Sequence, residues 1–171
     1  MGTGMVTGHE AFTAFVATRG AALSRYAYVL SGDREEAADL VQDALLRTYA
    51  RARGGAGFEH VEAYVRRAIL TGYLDRRRRE QRWRAIRHLL PGRGAADSAE
   101  EEVVLRSATH EVLAGLSPRQ RACLVLRYYE DLPVAEIAAQ LRCGPGTVKR
   151  HLSDGLRRVA DRLGAEEGRI G

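Results

Sequence analysis

Lysine is almost missing from this chain: Lys149 is the only one among 27 basic residues. An arginine bias beside 18 glycines fits a GC-rich genome and carries no chemistry of its own. Cysteine is scarce too. Cys123 and Cys143 form no C-x-x-C pair, and His9, His60, His88, His110 and His151 are scattered. No ligand spacing for zinc results, so no metal is expected. The two thiols read as small apolar residues in a reducing compartment. Long apolar runs are absent as well. No stretch approaches the roughly 18 apolar residues that a membrane span needs. The start, Met1 to Gly8, lacks the apolar core of a signal peptide. The expectation is a cytoplasmic protein with no membrane insertion. Strand-like alternation is missing, and with it the strand that should precede a phosphate-cradling Gly-rich turn. No nucleophile–base spacing stands out. An enzyme is therefore not expected, nor a cofactor.

What is present is charge and helical periodicity. The 171 residues carry a net charge of +5, with a pI near 9.6. Such a chain favours an anionic partner. Apolar positions recur at helical spacing nearly throughout. Phe12, Phe15, Val16, Leu23, Tyr26 and Leu30 mark a helix over 9–30. Asp33 with Glu36 resembles a capping box opening a second helix, to about Ala52, with Leu40, Val41, Ala44, Leu45 and Thr48 inward. The glycines at 54, 55 and 57 force a loop. A long helix from about Glu59 to Leu89 carries Val61, Tyr64, Val65, Ala68, Ile69 and Tyr73. Pro91-Gly92 ends it, and 91–99 has linker composition. There the basic run Arg76–Arg87 gives way to Asp97, Glu100, Glu101 and Glu102.

The second half predicts a helix over 100–115. Next comes Ser117-Pro118-Arg119-Gln120, an N-cap, a proline at the first helical position and a capping-box glutamine. That helix ends near Tyr129. Val134–Leu141 follows behind Pro133, then a tight turn, then a last helix from Pro145 to Leu163 with Gly164 as its stop. The expected fold class is all-α: two small helical domains, 9–90 and 100–164, joined by the flexible linker.

A short helix, a tight turn and a longer helix make the helix-turn-helix plan. Ala135, Ile137, Ala138 and Leu141 are expected on the inner face of the first. On the second, Val148, Leu152, Leu156, Val159 and Leu163 share an arc of about 80°. Thr147, Arg150, Ser153, Asp154 and Arg157 lie opposite, with Lys149 and His151 on the flanks. Such residue types reach phosphates and base edges. In the first half, arginines from Arg66 to Arg87 interleave with Tyr64, Tyr73 and Trp83, a mixture suited to single-stranded nucleic acid.

Asp33–Tyr49 (DREEAADLVQDALLRTY), Ala63–Arg79 (AYVRRAILTGYLDRRRR) and the pair LSPRQRA from Leu116 and CGPGTVKRHL from Cys143 resemble, in this order, regions 2.2, 2.3–2.4 and 4 of extracytoplasmic-function (ECF) sigma factors of the sigma-70 family. The likeness covers 9–163 and extends to the actinobacterial SigE-like group. It implies a promoter-recognition subunit with domain 2 at 9–90 and domain 4 at 100–164. The implied partners are core RNA polymerase, through its β′ clamp helices and β flap, promoter DNA, and an anti-sigma factor. The resemblance assigns polymerase binding to Asp39, Gln42, Asp43 and Leu46. It assigns the unpaired −10 strand to Phe58, Tyr64, Arg66, Arg67, Thr71, Arg76 and Arg78, and the −35 duplex to Thr147, Lys149, Arg150, Ser153, Asp154 and Arg157. Some positions depart from the family pattern: Thr71 replaces asparagine, Tyr64 tryptophan, Pro133 a Ser or Thr cap, Gly144 serine and Asp154 arginine. A LuxR-type regulator shares the Gly-Thr-Val-Lys turn but predicts β/α alternation before residue 100. An anti-sigma factor predicts a His-x-x-x-Cys-x-x-Cys signature. Neither pattern is in the chain.

Overall fold

The computed structural model describes residues 8–53, 60–89 and 108–167, and among them every regular element is helical. Compactness divides the chain into two units at the Tyr73–Leu74 bond, inside a helix.

The first unit holds α1 (Gly8–Ser31), α2 (Arg34–Arg53) and the start of α3 (Val61–Arg87). Gly32 turns the chain between α1 and α2 at φ 77°, a left-handed value that glycine adopts without steric cost. Asp33 then caps α2, its Oδ1 accepting the Glu36 N–H at 2.7 Å. The core is Leu23, Tyr26, Ala27 and Leu30 from α1, Ala37, Leu40, Val41 and Ala44 from α2, and Val65, Ile69, Leu70 and Tyr73 from α3. Buried Thr48 satisfies its hydroxyl on the Ala44 carbonyl at 2.7 Å. Gly72 lets α3 approach α2: a Cβ there would sit 3.1 Å from a Leu40 methyl. One inward marker moves. Leu45 is only half-buried, whereas Tyr64 on α3 is 40% exposed.

An ionic clasp joins the ends of this unit. Arg19 of α1 donates two hydrogen bonds to Glu62 in the first turn of α3, at 2.6 and 2.8 Å. Arg66 donates to the same carboxylate at 3.0 and 3.1 Å and lies 5.2 Å above the Tyr26 ring. The bonds from Arg19, then those from Arg66, hold the Glu62 carboxyl below the usual carboxylate range, against the opposing effect of burial. Its stabilisation is present at neutral pH and is lost as pH falls through that lowered value.

The second unit contains α4 (Ala108–Ala114), α5 (Pro118–Leu124) with a π-helical turn over Val125–Tyr129, α6 (Val134–Leu141) and α7 (Pro145–Glu167). The expected capping box is complete. Ser117 accepts the Gln120 N–H at 3.2 Å, and Gln120 Oε1 accepts the Ser117 N–H at 3.1 Å. The π turn shows in the bond from the Glu130 N–H to the Val125 carbonyl at 3.1 Å, which skips five residues. Pro133 caps α6 without a side-chain bond, its carbonyl accepting Glu136 and Ile137 N–H groups. The core is Ala122–Leu126, Ile137, Ala138, Leu141, Val148 and Leu152. Arg158 and Arg162 of α7 donate to the Gly115 and Glu111 carbonyls at the end of α4. Cations suit that negative helix end.

Three expectations here are corrected. Ala135 is exposed, so α6 buries Ile137, Ala138 and Leu141 alone. The buried stripe of α7 is Val148, Leu152, Gly155 and half-buried Val159, while Leu156 and Leu163 are 44% and 47% exposed. The cause is Gly155: a Cβ there would lie 3.0 Å from Leu124, so α7 is rolled toward α5 on its glycine side. That moves the buried arc by about 30° on a 100°-per-residue wheel. Finally, α7 runs through Gly164 to Glu167. A helical glycine costs only about 1 kcal/mol relative to alanine, and Ala165, Glu166 and Glu167 favour helix.

Cys123 is fully buried and Cys143 half-buried, both as free thiols. Burial, aided by the neighbouring Cys143, pushes the Cys123 thiol up to about 12, against the pull of Arg119. At about pH 8 a thiol reagent should label Cys143 and spare Cys123 until the chain unfolds. Equal labelling rates in the native protein would contradict this packing. The folded thiol keeps its proton up to about 12, well above the ordinary thiol range, so its contribution to stability falls as pH rises from that range towards 12.

Candidate nucleic-acid interface

The turn between α6 and α7 sets the geometry of α7. The Cys143 N–H reaches the Ala138 carbonyl at 3.0 Å and the Arg142 N–H the Ala139 carbonyl at 3.4 Å. This paired bonding is the Schellman end of a helix. Gly144 then starts α7, its carbonyl accepting the Thr147 and Val148 N–H groups at 3.0 and 3.2 Å. With Val148 and Leu152 buried, Thr147, Lys149, Arg150, Ser153 and Arg157 all emerge as exposed side chains. A cationic, hydroxyl-bearing face is thereby held rigid by an apolar one.

Asp154 sits inside this face, half-buried. Its carboxylate binds Arg157 at 3.1 Å and faces Arg150 at 3.9 Å. His151 is half-buried beside them. Burial, then Arg119 and to a lesser extent Arg150, push its pKa down, with Asp154 opposing. Arg119, absent from the expected site, is half-buried, and its Nη1 lies 3.5 Å from the Leu141 carbonyl at the end of α6. Only its place in the capping segment could have pointed to it.

On α3, Tyr64, Arg67 and Thr71 are exposed along one face, spaced three and four residues apart. The Thr71 hydroxyl donates to the Arg67 carbonyl at 2.9 Å, and the Arg51 guanidinium lies 5.4 Å from the Tyr64 ring centroid. Arg66 is not with them: Glu62 and the Tyr26 ring hold it against the fold. Arg76 is half-buried, and Arg78 is exposed, 3.5 Å from Asp75. Phe58, with the rest of 54–59, lies outside the described residues, as does the linker. On α2, Asp39, Gln42, Asp43 and Leu46 are all exposed, opposite buried Leu40, Val41, Ala44 and Thr48. Leu46 is 61% exposed.

Residues 15–84 match the family described as sigma-70 region 2, and residues 106–159 that described as sigma-70 region 4. The RNA polymerase sigma-E factor of Streptomyces avermitilis is 36% identical over 158 residues, covering 89% of this chain and 84% of its own length. That of Streptomyces coelicolor is 35% identical over 162 residues, 91% and 88% of the two chains. The chain belongs to the ECF sigma factors. Among solved structures, the sigma factor RpoE in complex with the anti-sigma factor NepR from Bartonella quintana matches with a TM-score of 0.65. It is 22% identical and covers 90% of this chain and 97% of that one, a likeness of fold. This ECF sigma factor is thus an alternative sigma factor that directs promoter-specific transcription, with its region 2 over α1–α3 and its region 4 over α4–α7. Nothing supports the LuxR reading. Among the described residues no helix is long and apolar enough to cross a membrane.

Proposed function

We propose that this sigma factor works through two reading faces and one docking face. The start of α7 enters the major groove of the −35 duplex, with Thr147, Lys149, Arg150, Ser153, Asp154 and Arg157 toward the DNA. Tyr64, Arg67 and Thr71 on α3, with Arg76, Arg78 and Phe58, hold the unpaired −10 strand by stacking and charge. Arg66 serves this reading by fixing α3 through Glu62. Asp39, Gln42, Asp43 and Leu46 on α2 dock on the β′ clamp helices, and the second unit meets the β flap. Domain 2 takes 9–90 and domain 4 takes 100–164, with 91–99 as linker. An anti-sigma factor competes for these surfaces, a reading supported by the RpoE match being a complex with the anti-sigma factor NepR. The protein acts in the cytoplasm without catalysis, metal or cofactor, and promoter melting draws on binding energy to unstacked bases.

The split of α7 carries the reading: Val148 and Leu152 are buried while Thr147, Lys149, Arg150, Ser153 and Arg157 are exposed. Run-off transcription with core polymerase on genomic fragments tests it. Discrete starts that require both proteins are expected, and starts with core polymerase alone, unchanged on addition of this chain, would refute it.

Asp154 tunes the −35 choice. A carboxylate facing the groove repels phosphate unless it meets a donor such as cytosine N4 or stays with its arginines. The Arg157 and Arg150 pairs, exposed and three and four residues away, are worth only about 0.3–0.5 kcal/mol each, so they yield readily to DNA. Asp154→Arg is expected to change the preferred −35 sequence at one or two positions, by about 1 to 3 kcal/mol per base pair. A uniform gain in affinity with unchanged ranking would show that only phosphate attraction was altered.

A further inference from the structure

Arg142 occupies an uncomfortable backbone position among the described residues of the second unit. Its φ and ψ are 51° and 50°, in the left-handed region. It is the residue just beyond α6 in the Schellman end, where glycine is strongly enriched because a Cβ crowds the following carbonyl. Asp131, the other positive-φ non-glycine among the described residues of this unit, is of a type that tolerates the region through its short polar side chain. Arginine has no such device. Its side chain is exposed, and no described residue accepts a hydrogen bond or ion pair from its guanidinium. Packing therefore gives no reason for an arginine here.

Position does. Arg142 lies three residues before Pro145, the first residue of α7, at the end of the helix that a helix-turn-helix directs into the major groove. A reading helix that enters the groove by its N-terminus brings the turn before it close to the phosphates of the groove wall. Strained residues held by an over-determined surrounding cluster at functional sites. Here the surrounding bonds are those of Cys143 and Arg142 N–H groups to Ala138 and Ala139 carbonyls.

We propose that Arg142 is a phosphate-contacting residue of the −35 site, and that its left-handed conformation aims the guanidinium past the turn at the DNA backbone. The contact anchors α7 and carries no sequence information, unlike the side chains of Thr147 to Arg157. The inference rests on α7 being the DNA-reading helix. A second role for the charge, favourable interaction with the C-terminal carbonyls of α6, is predicted by the same position, and the test separates the two.

The full chain is titrated with mixed-sequence duplex DNA over a series of salt concentrations, since a phosphate contact is indifferent to sequence. The variants are Arg142→Gly, which frees the backbone and removes the charge, Arg142→Gln, which keeps the Cβ and removes the charge, and Arg142→Lys, which keeps the charge. Lys149→Ala reports on α7 itself. Expected are a several-fold loss of affinity for both Gly and Gln, and a log–log salt slope shallower by about one. The lysine variant should keep the wild-type slope, and Arg142→Gly should melt no lower than wild type. Wild-type binding and slope in the Gly and Gln variants, with Lys149→Ala weakened, would overturn the role of Arg142 and leave α7 as the reading helix. A lowered melting temperature in both uncharged variants with unchanged DNA binding would assign the charge to the end of α6 and overturn the proposal equally. Unchanged binding in Lys149→Ala as well would bring down the assignment of α7.

Discussion

Replacing Asp39 and Gln42 together with alanine is expected to abolish co-purification of this sigma factor with core RNA polymerase while its helical circular-dichroism signal stays intact. Both side chains are exposed on α2, on the face opposite Leu40, Val41, Ala44 and Thr48, so neither substitution opens the core. Alanine is also the better helix former at both positions, which protects α2 itself. Leu46 stands on the same face, 61% exposed, and adds an apolar contact to the same patch. Truncating a central polar residue of such a patch costs about 2 kcal/mol or more, and two of them weaken binding by roughly three orders of magnitude. That exceeds what a pull-down tolerates. Wild-type recovery of polymerase with the double variant would move the docking face away from this side of α2.

Local signals in the sequence located most of the helices because each has a local cause. Asp33 and Ser117 bind the N–H groups three residues ahead of them, so their helix starts are readable from single residues. The turn from Arg142 to Pro145 separates α6 from α7 where Gly and Pro placed it. Other features depend on contacts that no local window contains. Arg66 looked like one more arginine in a basic run, yet its partners are Glu62 and Tyr26, the latter forty residues away on another helix. The roll of α7 follows from Gly155 meeting Leu124, a pairing that a helical wheel cannot foresee because it scores glycine as nothing. The π turn at Val125–Tyr129 has no side-chain signature. It is a backbone adjustment at the end of α5, after which the Leu132 N–H reaches back to the Leu126 carbonyl and Arg127 donates to the Leu132 carbonyl at 3.0 Å. The candidate site follows the same division. Exposure of the polar faces of α2 and α7 came from periodicity, whereas Arg119, and the conformation that makes Arg142 informative, came only from the structure.

The second large effect belongs to the core behind α7. Ile137 is completely buried on the short helix α6, in a core with Leu126, Leu141 and Val148. Ile137→Ala removes three carbons from a site with no solvent to refill it, a change that costs about 2 to 5 kcal/mol depending on how far the neighbours relax. A small helical unit has little stability in reserve, because it buries a smaller share of its surface than a large domain does. The loss is therefore expected to unfold α4–α7 to a substantial degree near physiological temperature. In the full chain this predicts a partial fall in helical signal, rapid proteolysis between Pro118 and Glu167, and loss of −35 recognition. Co-purification with core polymerase through α2 should persist, weakened by whatever the β flap contributes. Lys149→Ala should leave the protease pattern untouched while weakening DNA binding, so that loss of fold and loss of a contact are told apart. If Ile137→Ala melted like the wild type, α6 would not be packed on α7 as described, and the rigid presentation of Thr147, Lys149 and Arg150 to the groove would lose its physical basis.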